Sequence, residues 1–175
     1  MPNHRAARSV LEIVRLSALA AAVALAAIPV AALAVPRVGQ TAPGFSLPSP
    51  SGKPVVLDSF RGKAVYVNFF ASWCGPCNAE APSIGKLRAK YAKAGLAVVG
   101  IDELDPPGQA AAFQKKFDNP YGVVAVDENG AVGRTYGTIV MPVHVFIDRR
   151  GTVKTYHLGE MDAHEIDAAI RDALK

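Results

Sequence analysis

The sequence holds only two cysteines in 175 residues, and both fall in one C-x-x-C unit. This scarcity is informative. A tetrahedral zinc site needs four ligands, and no second cysteine pair exists to complete one. The four histidines are scattered, with no H-x3–5-H pair near a helix. No cysteine lies near the N-terminal apolar run, which excludes a lipoprotein anchor there. Internal repeats and low-complexity tracts are absent from the rest of the chain. The net charge of +4 is partly carried by Arg5, Arg8 and Arg15, opposed locally only by Glu12. No basic stripe with interleaved aromatics follows, so nucleic acid is not expected as a partner.

What is present centres on Trp73-Cys74-Gly75-Pro76-Cys77. Residues 64–70 (AVYVNFF) are apolar, aromatic and β-branched, which predicts a buried central strand. Residues 78–93 read as a helix. The dithiol then lies on a strand-to-helix turn, with Cys74 at the helix N-terminus. Unpaired N–H groups and the positive end of the helix dipole favour an anion there. A thiolate is that anion, so Cys74 is the expected nucleophile, ionising below the free-cysteine value of about 8.5. Cys77, three residues on, lies within disulfide reach and is the expected buried, resolving thiol. A structural disulfide closing so short a loop would stabilise little, so redox chemistry is the better reading.

The chain in order supports an α/β fold. Residues 1–15 are a basic segment, residues 16–28 an apolar run, Pro29 breaks it, and Ala32-Leu33-Ala34 is an A-x-A pattern. Residues 1–34 are read as a cleaved signal peptide. The alternative is a retained membrane anchor, since residues 16–35 are long enough to span a bilayer with arginines left on the cytoplasmic side. Either reading puts the domain outside the cytoplasm. Arg5 and Arg8 are not adjacent, which argues against a twin-arginine signal.

Two short strands over 45–47 and 55–57 flank Ser51-Gly52-Lys53 as a hairpin. Pro82 falls inside the helical pattern and should kink it. Gly95 reads as a C′ glycine, and residues 96–101 as a second buried strand. Asp105 is expected to cap a helix from Pro106 or Pro107 to Phe117. Residues 121–126 read as a strand, Asn129-Gly130 as a turn before a short helix, 143–147 as a strand and 152–157 as its hairpin partner. Asp162 with Glu165 predicts a capping box on a last helix over 163–174. Strands alternating with helices, then a C-terminal hairpin, give a mixed sheet covered on both faces.

The run Val67-Asn68-Phe69-Phe70-Ala71-Ser72-Trp73-Cys74-Gly75-Pro76-Cys77 resembles the active-site region of thioredoxin-fold oxidoreductases, and more closely the membrane-associated TlpA/ResA-like branch. The resemblance covers residues 38–175. It implies a thioredoxin-like domain with an added N-terminal β-hairpin. The hairpin region is similar to peroxiredoxins too, but their P-x-x-x-[TS]-x-x-C setting is absent. The resemblance implies a cis bond at Met141-Pro142 beside the dithiol, where backbone groups bind an extended substrate. It matches Glu80 to the glutamate of W-C-x-x-C-x-x-E, an acceptor for the Cys77 proton. Thioredoxin's buried aspartate on the preceding strand is matched by Asn68, which cannot titrate. A solvated surface role for Glu80 is the plain alternative.

By the same resemblance Trp73, Pro76 and Met141 shape the substrate surface, although Trp73 could equally be a packed aromatic. No cofactor is implied. Gly-Pro between the cysteines matches thioredoxin, a reductant near about −270 mV. The expected activity is reduction of disulfides in extracytoplasmic partner proteins, such as apocytochrome c or copper-centre proteins, with electrons from a membrane thiol transporter. Two alternatives stand beside it. One is a general disulfide oxidant or isomerase. The other is a copper-binding assembly chaperone, in which Cys74 and Cys77 join His144 and Met141 as soft ligands. His144 departs from the family pattern, and the sequence leaves open which face it occupies. CcmG-type proteins carry Gly-Ala-Pro-Glu around the cis-proline, where this chain has Val140-Met141-Pro142-Val143.

Overall fold

The computed structural model of the chain describes residues 35–175. The expected targeting segment over residues 1–34 lies outside the described residues. Among the described residues no helix is long and apolar enough to cross a membrane.

Strand β3 (Ala64–Phe70) is the centre of the sheet, and all its residues are buried. The strand was legible because its residues, Asn68 apart, are apolar or aromatic on both faces. Strands β4 (Leu96–Glu103) and β5 (Val123–Asp127) continue the sheet in parallel on one side. Strands β6 (Val143–Ile147) and β7 (Val153–Leu158) run antiparallel on the other, in the order β5-β4-β3-β6-β7. Alternation along β3 divides the core. Ala64, Tyr66 and Phe70 pack with residues of helices α1 (Gly75–Tyr91), α2 (Gln109–Lys116) and α4 (Ala163–Ala173). Val65, Val67 and Phe69 pack on the other face with Tyr136 of helix α3 (Ala131–Tyr136). Phe45, Val55 and Leu57 complete that second face, so the hairpin β1 (Ser46–Pro48) and β2 (Pro54–Val56) serves as part of its cover.

Several boundaries differ from the sequence expectation. Helix α1 begins at Gly75 rather than residue 78, because the Cys74 sulfur accepts the Cys77 N–H at 3.2 Å and Pro76 occupies the first turn. It ends at Tyr91, and a 3-10 turn (Ala92–Ala94) leads to Gly95 at φ 85°. Helix α2 begins only at Gln109, capped by Gly108. The Asp105 carboxylate is not its cap, being taken by the N–H and hydroxyl of Ser72 at 2.6 and 3.1 Å. Strand β5 starts at Val123 because Tyr121 turns its ring into the core. The hairpin strands are shifted by one residue from their expected places, with Leu57 opening a 3-10 turn. Asp162 and Glu165 form the expected reciprocal capping box on α4.

Gly100 shows why the centre of β4 lacks a side chain. A Cβ there would sit 2.5–2.9 Å from ring atoms of Tyr121, a fully buried residue. Gly100→Ala should therefore lower the stability of the oxidised protein by about 1–3 kcal/mol in urea unfolding. Gly75→Ala, where a Cβ meets nothing within 4 Å, should stay within about 0.5 kcal/mol of the parent. Equal effects of the two substitutions would contradict the packing argument.

Candidate active site

Strand β3 ends deep in the core, and the chain must turn within four residues to start α1. That turn is pinned on both sides. Ser72 is held by Asp105. The Asn78 amide donates to the carbonyls of Ser72 and Cys74 at 2.9 and 2.7 Å. Cys74 becomes the N-cap of a helix of 17 residues, where its sulfur faces an N–H of the first turn. Cys74 and Cys77 form a disulfide, with Cα atoms 5.3 Å apart. Cys77 is fully buried, whereas Cys74 keeps a slight exposure.

A cleft opens over Cys74. Trp73, Gly75 and Pro76 line one side, and Thr138, Ile139, Val140 and Met141 the other, with Glu103 and Leu104 completing it. The Met141-Pro142 bond is cis, as the resemblance implied. Trp73 is 67% exposed, so it is surface rather than packed core, and Ile139 is 87% exposed. The cleft is thus mainly apolar and open to water.

Glu80 is not a solvated surface group. It is 5% exposed. One carboxylate oxygen, Oε1, accepts the Met161 N–H at 2.8 Å. The other, Oε2, has no hydrogen-bond partner and lies 3.6 Å from His144 Nε2. Burial raises its proton affinity to about 7, against the lowering effect of the Met161 N–H. A carboxyl tuned to neutral pH can take and return a proton there.

The sequence left the orientation of His144 open, and the structure places it on the inner face with Glu80. Its ring is fully buried. Nδ1 lies 2.8 Å from the Tyr66 hydroxyl and 3.3 Å from the Asn68 amide nitrogen, while Nε2 lies 3.0 Å from the Gly159 carbonyl. Burial first, and His157 second, push its pKa down to about 3. Both nitrogens are engaged within the core, so the ring does not present a lone pair to the cleft. Among the described residues no group of three or more His, Cys, Asp or Glu is arranged to hold a metal ion.

Other participants were not singled out from sequence. Tyr121 donates to Asn68 Oδ1 at 2.6 Å, and the same amide donates to the Val143 carbonyl at 3.3 Å. Asp102 is buried beside Asp105, and burial followed by a hydrogen bond to Asp105 raises it to about 8. Glu103 is buried at the cleft with Oε1 accepting from the Thr138 hydroxyl at 2.8 Å, and burial raises its pKa too. The one available signal was Gly100, since a glycine inside a strand marks a close approach by another group.

Comparison with known proteins fits this geometry. Residues 37–173 match the Redoxin family model. The thiol-disulfide oxidoreductase ResA of Bacillus thuringiensis subsp. konkukian is 31% identical over 135 residues, covering 77% of this chain and 78% of that protein. A crystal structure from Chlorobium tepidum, described as a thiol:disulfide interchange protein DsbE, superposes with a TM-score of 0.72 at 37% identity, over 80% of this chain and 99% of that one. A secreted Mycobacterium tuberculosis disulfide oxidoreductase homologous to E. coli DsbE gives a TM-score of 0.66 at 27% identity, over 73% and 94%. The mixed sheet and its helices are a thioredoxin-like fold with a small added two-stranded sheet. Disulfide-bearing proteins are the substrates this membership implies. The chain belongs to the Redoxin family and is a thiol–disulfide oxidoreductase that carries a Cys74–Cys77 disulfide.

Proposed function

We propose that the protein reduces disulfides in partner proteins outside the cytoplasm, with Cys74 as nucleophile, Cys77 as resolving thiol and Glu80 as acceptor of the Cys77 proton. The observation that carries this reading is Glu80 itself: a buried carboxylate on the helix that bears both cysteines, with one oxygen unpartnered and a proton affinity near 7.

In the reduced protein the Cys74 thiolate attacks one sulfur of the substrate disulfide. A mixed disulfide forms and the other substrate sulfur leaves as a thiolate. Cys77 then gives its proton to Glu80, and its thiolate attacks the Cys74 sulfur. The Cys74–Cys77 disulfide forms, the second substrate thiolate leaves, and two electrons have passed to the substrate. A dithiol donor resets the enzyme, and the TlpA/ResA-like resemblance favours a membrane thiol transporter in that role. The backbone at Met141 and Pro142 is suited to align an extended substrate segment beside Cys74. Trp73 and Pro76 supply the surface on which it rests. The N-terminal sequence pattern over residues 1–34 and the secreted Mycobacterium tuberculosis relative support an extracytoplasmic site. Apocytochrome c and copper-centre proteins are the substrate classes that the TlpA/ResA-like resemblance brings.

Cys77→Ser should accumulate mixed disulfides with partner proteins in cells, and Cys74→Ser should abolish exchange. Alkylation of the reduced protein near neutral pH should modify Cys74 far faster than Cys77. Preferential modification of Cys77 would reverse the two assignments.

Glu80→Gln tests the proton acceptor. In the parent the resolving step should quicken as pH rises through about 7, where Glu80 ionises and can accept. The Gln variant should lose that limb and be slower at pH 8 by about a hundredfold. Superimposable pH–rate profiles would remove Glu80 from the mechanism. Stability carries the same signature in the folded, oxidised protein. Glu80 binds its proton more tightly folded, at about 7, than at its ordinary 4.5. The parent should therefore lose stability relative to Glu80→Gln as pH rises from about 4.5 to about 7. Chemical denaturation at stepped pH reads the difference directly.

A further inference from the structure

We infer that His144 is a positioning residue for the resolving step: its Nε2–H, lying between the Gly159 carbonyl and the unpartnered oxygen of Glu80, favours the ionised carboxylate and links it to the turn at Pro142. This rests on the reading of Glu80 as acceptor of the Cys77 proton.

The protonation of the ring follows from its neighbours. Asn68 has its Oδ1 occupied by the Tyr121 hydroxyl at 2.6 Å, and its Nδ2 faces the Val143 carbonyl and His144 Nδ1, both at 3.3 Å. That orients the amide with its donor toward the ring. The Tyr66 hydroxyl, at 2.8 Å, is the second donor to the same Nδ1. Nδ1 is therefore the acceptor and Nε2 carries the hydrogen. Nε2 faces the Gly159 carbonyl at 3.0 Å and Glu80 Oε2 at 3.6 Å. A second ring proton would be set against two donors in a fully buried site, so the imidazole stays neutral and acts as a fixed dipole.

The consequence for Glu80 is one-sided. When ionised, it has the Met161 N–H on Oε1 and the donor end of the imidazole toward Oε2. When protonated on Oε2, its O–H meets a ring nitrogen that already bears hydrogen. The imidazole thus opposes the burial that drives Glu80 toward its neutral form. Gly159 extends the link, since its N–H donates to the Pro142 carbonyl at 2.8 Å while its carbonyl accepts a hydrogen bond from His144 Nε2–H. The other titratable groups around the pair are Tyr66 of β3, Tyr121 before β5, His157 of β7 and Glu160 in the turn after β7, while the cysteines of α1 do not titrate as a disulfide. Burial holds both tyrosines well above their ordinary range, so they stay neutral. Glu160 raises the Glu80 pKa, and His157 disfavours charge on His144.

The test is a 13C NMR titration of the Glu80 carboxyl in the oxidised protein, for the parent, His144→Phe and His144→Gln. Phe removes the donor, and the Glu80 midpoint should rise by about one pH unit. Gln supplies an N–H and an acceptor in similar places, and should return the midpoint to within about 0.3 unit of the parent. Repeating the comparison in a His157→Gln background keeps the charge of that residue out of the result. An unmoved midpoint with Phe, or an equal shift with Gln, would overturn the inference. The pH–rate limb of the resolving step should move with the midpoint in His144→Phe. A shifted midpoint with an unmoved limb would show that Glu80 does not serve Cys77, which removes the role of His144 in exchange while leaving their coupling measured. Should His144→Phe fail to fold, 15N shifts of His144 in the parent decide: the neutral Nε2–H form at pH 7 supports the assignment, and an Nδ1–H or doubly protonated ring rejects it.

Discussion

Burying a carboxylate near a dithiol is the constraint on which this structure turns. Away from water, each oxygen of Glu80 needs a donor or must carry a proton. Only one receives a full hydrogen bond, from the Met161 N–H in the turn before α4. The partial shortfall, with Oε2 facing His144 at 3.6 Å, is what leaves the group near neutrality rather than fixed in either form. A better-satisfied carboxylate would stay ionised at neutral pH and could not hold a proton between steps. A wholly unsatisfied one would stay protonated and could not accept one.

The requirement spreads into the sheet. His144 must accept at Nδ1, so β3 supplies donors opposite it, Tyr66 and Asn68. Asn68 needs a donor for its own oxygen, which brings the Tyr121 hydroxyl across β4. The ring can cross there only because Gly100 has no side chain. The glycine of β4, the late start of β5 and the polar pair on an otherwise apolar β3 are therefore linked by the same network. On the cleft side the constraint is different. Trp73, Ile139, Val140 and Leu104 are exposed apolar groups gathered around Cys74. They surround Cys74, the proposed attacking sulfur, which keeps a slight exposure while Cys77 remains covered.

The sequence carried the framework plainly. The apolar run of β3, the C-x-x-C, Gly95 and the Asp162/Glu165 box are local signals whose meaning does not depend on distant contacts. The strand over 143–147 was equally legible. What stayed hidden was long-range. Asp105 has every local mark of an N-cap ahead of two prolines, yet its carboxylate is taken by Ser72, 33 residues earlier. No pattern in the chain anticipates that. The face of His144 could not be read either, because β6 is buried on both sides and its residues lack the alternation that would orient them. Glu80 was recognisable as a candidate through its spacing from Cys77 and the family's W-C-x-x-C-x-x-E pattern, but its burial depends on the turn before α4, which brings in the Met161 N–H.

Asn68 shows why the proton function proposed for Glu80 falls to α1 rather than to β3. An aspartate at this position in thioredoxin can titrate beside the dithiol. Here the side chain must donate to the Val143 carbonyl and to His144 Nδ1 while accepting from Tyr121. A carboxylate could accept from Tyr121 but could donate to neither of the other two. It would also place a negative charge against the lone pair of Nδ1, favouring the ring tautomer with hydrogen on Nδ1. That tautomer would turn a bare Nε2 toward the Gly159 carbonyl and Glu80, and the donor facing the carboxylate would be lost. The amide on β3, the neutral imidazole on β6 and the titrating carboxylate on α1 are thus mutually dependent: fixing the first as a donor fixes the second as a dipole, and leaves Glu80 as the group in that chain able to exchange a proton near neutral pH.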